Sequence, residues 1–92
     1  MPYKVVFADA VLREDAPALD TEIEMRVREA IEAKLKTHPH TFGKPLRHSL
    51  RNHRSLRVGD FRIVYRVDAA IVRVIAIVHR RDVYRIAGIR IA

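Results

Sequence analysis

Arginine, histidine and tyrosine gather at the ends of two β-prone segments in the second half of the chain. The first segment is Leu56-Arg57-Val58-Gly59-Asp60-Phe61-Arg62-Ile63-Val64-Tyr65-Arg66-Val67, a hairpin pattern with arginines on both sides of a Gly-Asp turn. The second is His79-Arg80-Arg81-Asp82-Val83-Tyr84, which starts seventeen residues after Arg62. Guanidinium groups bind phosphate oxygens in bidentate fashion and stay charged at any physiological pH. An imidazole, with an ordinary pKa of about 6.5, gives or takes a proton near neutrality. Arg80 can neutralise the charge that grows on a pentacoordinate phosphorane, and Tyr84 can stack on a base or orient a phosphate. Such a set can process a phosphodiester without a metal or a cofactor. Each residue alone has a plainer reading: a solvated arginine, a hydrogen-bonded surface histidine, a packed tyrosine. Five arginines within sixteen residues (Arg51, Arg54, Arg57, Arg62 and Arg66) shift the balance toward phosphate binding, because solvent-facing strand positions more often hold Thr, Lys or Glu.

The charge distribution supports that reading. The net charge of the 92-residue chain is +7. Residues 1–46 hold seven Lys or Arg against eight Asp or Glu, whereas residues 47–92 hold eleven arginines, no lysine and three aspartates. A second half that is +8 and uses only arginine points to a polyanionic partner.

Other chemistries are poorly supported. There is no cysteine, which excludes disulfides and thiolate-bound zinc and suits a reducing cytoplasm. His38, His40, His48 and His53 lack the converging spacing of a metal site, and Asp60, Asp68 and Asp82 sit in turns, so no metal is expected. No Gly-rich phosphate loop, dinucleotide fingerprint or Ser-His-Asp arrangement occurs. No apolar run approaches the roughly 20 residues of a membrane span, and Met-Pro-Tyr-Lys does not open a secretory signal, so neither a membrane nor export is expected.

The elements that must position these residues can be read from periodicity. Tyr3–Phe7 predicts a first strand. Asp9 predicts the cap of a short helix that Pro17 and Asp20 interrupt. Thr21 with Glu24 forms a capping-box pattern and predicts a longer helix to about Thr37, with Ile23, Val27, Ala30, Ile31 and Leu35 as its buried stripe. Thr41–Pro45 reads as a loop. Leu46–Leu50, Ser55–Val58, Phe61–Val67 and Ile71–His79 are the strand candidates, with turns at Gly59-Asp60 and Asp68–Ala70. Phe61, Ile63, Tyr65 and Val67 form the core row of their strand, with Arg62 and Arg66 on the open face. The tail 85–92 is too short to assign. The order β-α-α-β-β-β predicts a single α+β domain over 1–92: an antiparallel sheet of about four strands with two N-terminal helices on one face.

Phe42-Gly43-Lys44-Pro45-Leu46-Arg47, the hairpin from Leu56 to Tyr65, and His79 to Tyr84 together resemble the RelE branch of the RelE/ParE toxins. The resemblance covers nearly the whole chain, from Tyr3 to Tyr84. It implies a toxin of a type II toxin–antitoxin pair that cleaves messenger RNA in the ribosomal A site, contacts ribosomal RNA and is neutralised by a cognate antitoxin, with no small-molecule cofactor. Arg62, Arg80 and Tyr84 match the family's pattern, and His79 stands where some members carry a catalytic histidine. The family's basic pair falls on or near His53, Arg54, Ser55 and Arg57, and Ser55 departs from it. The resulting expectation is a metal-independent endoribonuclease in which the substrate's 2′-OH attacks the adjacent phosphate. Arg62 and Arg80, supported by Arg57, would hold that phosphate; His79 would move the proton and Tyr84 would orient the nucleotide. Arg51, Arg54, Arg66 and Arg81 would bind neighbouring RNA. The alternatives are a ParE-like inhibitor of DNA gyrase on the same fold and an inactive member that only binds antitoxin.

Overall fold

The β-prone run at the N-terminus forms β1 (Lys4–Phe7) in the computed structural model, which describes residues 2–91. Helix α1 follows over residues 9–18. Asp9 lies inside its first turn, paired with Arg13 at 3.5 Å, and does not cap it. Pro17 does not interrupt the helix either. A proline ring ordinarily meets the carbonyl four residues back. Here the preceding turn, Val11–Asp15, is widened to π-helical form, with the Ala16 N–H on the Val11 carbonyl, and α1 continues to Ala18.

Helix α2 comprises Thr21–Ala30 and a π-helical turn, Ile31–Leu35. Its cap lies one residue before the predicted one. Asp20, with extended backbone, accepts the Ile23 N–H at 2.9 Å, satisfying an amide that the helix itself cannot pair. The predicted stripe holds: Val27, Ile31 and Leu35 are buried, and Ile23 and Ala30 pack against them.

Two further corrections concern residues 41–50. Lys44–Pro45, expected in a loop, forms the short edge strand β2. Leu46–Leu50, expected as a strand, contains a 3-10 turn over His48–Leu50, entered through His48 at φ 57°, which no strand accommodates. The strands β3 (Arg54–Val58), β4 (Phe61–Asp68) and β5 (Ile71–His79) then form an antiparallel meander at the expected positions.

The sheet has five strands in the order β1-β5-β4-β3-β2. It is not wholly antiparallel, because the crossover through both helices lays β1 parallel to β5. The tail supplies an element that its length left unread: α3, Val83–Ile91. It covers the face opposite α1 and α2, so the sheet carries helices on both sides. One apolar layer joins Val27, Ile31 and Leu35 to Leu56, Ile63, Tyr65, Val72 and Val74. The other joins Val83 and Ala87 of α3 to Leu50, Val64, Ala76 and Val78.

A β-bulge shifts which residues of β5 face each layer. Val64 pairs with Ala76 but Tyr65 pairs with Val74, leaving Ile75 as the extra residue. Val72 and Val74 face the α2 layer before it, and Ile77 faces that layer after it. Where β1 ends, the exposed edge of β5 is closed by side chains. Asp15 accepts the Ile77 N–H at 2.8 Å and both terminal nitrogens of Arg90 at 2.6 and 2.8 Å, while Arg90 donates to the Ile75 carbonyl at 2.9 Å. This clasp ties α1, β5 and α3 together, and the carboxylate holds the guanidinium pKa above its ordinary value. Among the described residues no helix is long and apolar enough to cross a membrane.

Candidate nucleic-acid interface

The hairpin β3–β4 sets the first half of the site. Arg57 and Arg62 are direct cross-strand partners, as the turn at Gly59-Asp60 predicts. Gly59 takes φ 60°, a conformation open to glycine at little cost. The Arg57 guanidinium Nε–H donates to the Gly59 carbonyl at 3.0 Å, and an Arg62 terminal nitrogen lies 3.4 Å from the Ser55 hydroxyl.

The segment after β5 sets the second half. The Arg80 N–H donates to the Asp60 carbonyl at 2.8 Å, fastening the 3-10 turn Arg80–Asp82 to the hairpin. Tyr84, in the first turn of α3, is about half exposed, and its hydroxyl accepts the Arg47 N–H at 3.1 Å. That leaves the phenolic hydrogen free to donate. A groove of 210 Å³ results, lined by Lys44, Pro45, Leu46, Ser55, Arg62, Arg80, Val83 and Tyr84. A second hollow of 470 Å³ shares Lys44, Ser55 and Arg62 with it and extends to Arg57, Phe42 and Lys34. Together they form one trough. Its charged lining residues are Lys34, Lys44, Arg57, Arg62 and Arg80, with no carboxylate among them. Several cations at close quarters repel one another, and a bound polyanion relieves that repulsion.

The structure separates other predicted site residues from this trough. His79 pairs with Phe61, on the opposite side of the sheet from Arg62, and the two rings meet edge to face with centroids 5.8 Å apart. Its Nδ1 accepts the Arg81 N–H at 3.3 Å, so the imidazole caps the turn that carries Arg80. Arg54 pairs with Tyr65 on the α2 side, and its guanidinium donates to the Gly43 carbonyl at 2.9 Å. Arg66 is four residues along β4 from Arg62, about 13 Å at strand spacing. It shares Asp68 with Arg73, at 3.0 and 3.4 Å. Arg51 and Arg81 are exposed and do not line the trough. Arg85 bonds to Asp82 and holds that carboxyl below its usual range.

Lys44, Lys34 and Phe42 are contributors that periodicity missed. Lys44 reaches the site through its pairing with Ser55 in a strand of only two residues. The motif Phe42-Gly43-Lys44 carried the one available signal. The histidines expected to be free of metal are dispersed: His38 packs edge-on to Phe42, His40 edge-on to Tyr3, and His53 is buried. Burial and the nearby Arg66 charge push the His53 pKa down, partly offset by Asp68.

Comparison with known proteins places this geometry in a family context. The family described as the ParE toxin of the type II toxin–antitoxin system, parDE, matches residues 8–84. Toxin RelG of Mycobacterium tuberculosis is 37% identical over 87 residues, covering 92% of this chain and 99% of RelG. Toxin RelE of the same organism is 36% identical over 86 residues, covering 91% of this chain and 88% of RelE. Among solved structures, a chain of the RelBE2 toxin–antitoxin complex from M. tuberculosis has a TM-score of 0.79 at 34% identity, covering 87% of this chain and all of that one. The free form of an Escherichia coli RelE mutant shares the fold, with a TM-score of 0.80 at 20% identity over the whole of both chains.

Proposed function

Because the chain belongs to the RelE/ParE toxins of type II toxin–antitoxin systems, we propose that it is an endoribonuclease. It would cleave messenger RNA in the ribosomal A site, in the cytoplasm, and be neutralised by a cognate antitoxin. The observation that carries the reading is the convergence of Arg62, Arg80, Tyr84 and Lys44 on one groove without a carboxylate. In this reading the RNA's own 2′-oxygen attacks the adjacent phosphorus and the bond to the 5′-oxygen breaks, leaving a 2′,3′-cyclic phosphate and a free 5′-OH. Arg62 and Arg80 hold the non-bridging oxygens and neutralise the charge that grows there. Tyr84 donates its free phenolic hydrogen to the phosphate or stacks on a base. The Lys44 ammonium supplies the proton for the leaving 5′-oxygen, and the 2′-OH proton leaves through water in the open groove. His79 serves as the cap that keeps Arg80 in place, and Arg57 lends charge from the neighbouring hollow.

Two measurements test this. Transcript 5′-ends mapped after induction should show new cleavage sites, and Arg62→Ala or Arg80→Ala should reduce cleavage by on the order of a hundredfold. His79→Asn preserves an acceptor for the Arg81 N–H and should retain most cleavage, while His79→Ala loses more. Abolition by both His79 variants would restore proton transfer to the imidazole. A ParE-like inhibitor of DNA gyrase is the second reading, favoured by the ParE description of the matching family. DNA damage with intact transcripts would establish it and overturn the nuclease.

A further inference from the structure

The chemistry proposed above uses one end of the trough; the other end is also built. Phe42 is 36% exposed at its rim. The Lys34 ammonium sits 5.4 Å from the ring centroid, and the His38 imidazole meets the ring edge-on. Buried groups hold the loop that presents it. The Tyr65 hydroxyl lies 2.6 Å from the Phe42 carbonyl and 2.7 Å from the Pro39 carbonyl, and can donate to either. Arg54 holds the Gly43 carbonyl. Gly43 takes φ 78°, and a Cβ there would run into the Tyr65 hydroxyl, so the loop closes over Tyr65 only with glycine.

An exposed aromatic ring beside a carboxylate-free row of cations is the make-up of a single-strand nucleic-acid platform. We propose that the Phe42 end of the trough is a second nucleotide subsite. It takes the next nucleotide on the same strand beyond the two that the scissile phosphate joins, with its base stacked on Phe42 and its phosphate between Arg57 and Lys44. The Lys34 ammonium, over the ring, adds positive charge to the platform. The subsite rests on the nuclease reading, since it extends the path of that RNA. Arg54 and Tyr65 become positioning residues, which hold the loop and touch no RNA.

The test is fluorescence anisotropy at low salt with single-stranded 2′-O-methyl RNAs of two and four nucleotides, which lack the attacking hydroxyl. The wild-type protein should bind the longer strand more tightly. Phe42→Ala should weaken binding of the four-nucleotide strand by about tenfold or more and leave the two-nucleotide strand unchanged. Phe42→Trp should keep the length advantage. Equal weakening of both lengths, or none, overturns the subsite. Failure of Arg62→Ala to weaken either length overturns the nuclease reading itself, a result separable from the behaviour of Phe42. Circular dichroism of each variant identifies any that has not folded.

Discussion

Removing Arg90 should cost this fold far more than a terminal-helix arginine ordinarily would. Its side chain is 15% exposed and that of Asp15 is 6% exposed. In Arg90→Ala the Asp15 carboxylate keeps only the Ile77 N–H, and the Ile75 carbonyl loses its donor. Stranding one member of a buried ion pair costs about 3–5 kcal/mol, and the slight exposure of Arg90 favours the low end, about 3 kcal/mol. Asp15→Ala strands the guanidinium and frees the Ile77 N–H, for a similar loss. The double variant strands no charge. It leaves one backbone N–H and one C=O unpaired, at about 1–3 kcal/mol each, so it should cost about as much as either single variant. The coupling is therefore about 3 kcal/mol, a large share of the roughly 5–15 kcal/mol that stabilises small domains. Arg90→Lys, which loses the planar fork, should fall between wild type and Arg90→Ala. Urea unfolding at neutral pH, followed by far-ultraviolet circular dichroism because the chain has no tryptophan, measures all four. Additivity of the two single losses to within about 0.5 kcal/mol would refute the clasp as a unit.

Two other perturbations follow from the fold. The His53 pKa is depressed in the folded state, so the unfolded chain takes up its proton first as pH falls. The stability His53 contributes is present above about pH 6.5 and lost below it. Thermal unfolding at pH 8 and pH 5.5 should show a larger drop for wild type than for His53→Gln, and equal drops would refute the assignment. Ala69, in the β4–β5 turn, takes φ 53°, which costs an L-residue about 1 kcal/mol. Ala69→Gly should therefore raise the melting temperature by about 4–8 °C, less whatever the added freedom of the unfolded chain removes, and a lowered value would refute it.

The parts of the fold legible in the sequence are those set by neighbours in the chain. The α2 stripe, the meander from Arg54 to His79 and the Arg57–Arg62 pair depend on local periodicity and short turns. The toxin family was legible in its three motifs. Residues whose placement depends on distant partners were not. Lys44 is in the groove because it pairs with Ser55, and α3 forms because Val83 and Ala87 find Val64 and Val78 on a face that looked open. Arg54 could have been placed: it shares strand parity with Leu56 and Val58, both core residues, and not with Arg57. His79 could not, because the bulge at Ile75 reverses the alternation by which its side would be counted.

That single inserted residue has a consequence for how the protein can change. The eight residues of β4 pair against nine of β5, so the last third of β5 runs half a period out of phase with the first. Deleting Ile75 would remove the bulge and leave Ala76, Val78 and His79 on their present sides, because Ala76 would follow Val74 and still pair with Val64. Pairing Ile75 with Val64 instead, with no residue looped out, would turn Ala76 and Val78 toward α2 and swing His79 to the side of Arg62. The side on which His79 emerges is thus set four residues upstream, by whether Ile75 is looped out of the ladder and not by chemical identity. Sequence drift in the arginines can be gradual, but a register slip that draws Ile75 into the ladder exchanges the trough's composition in one step.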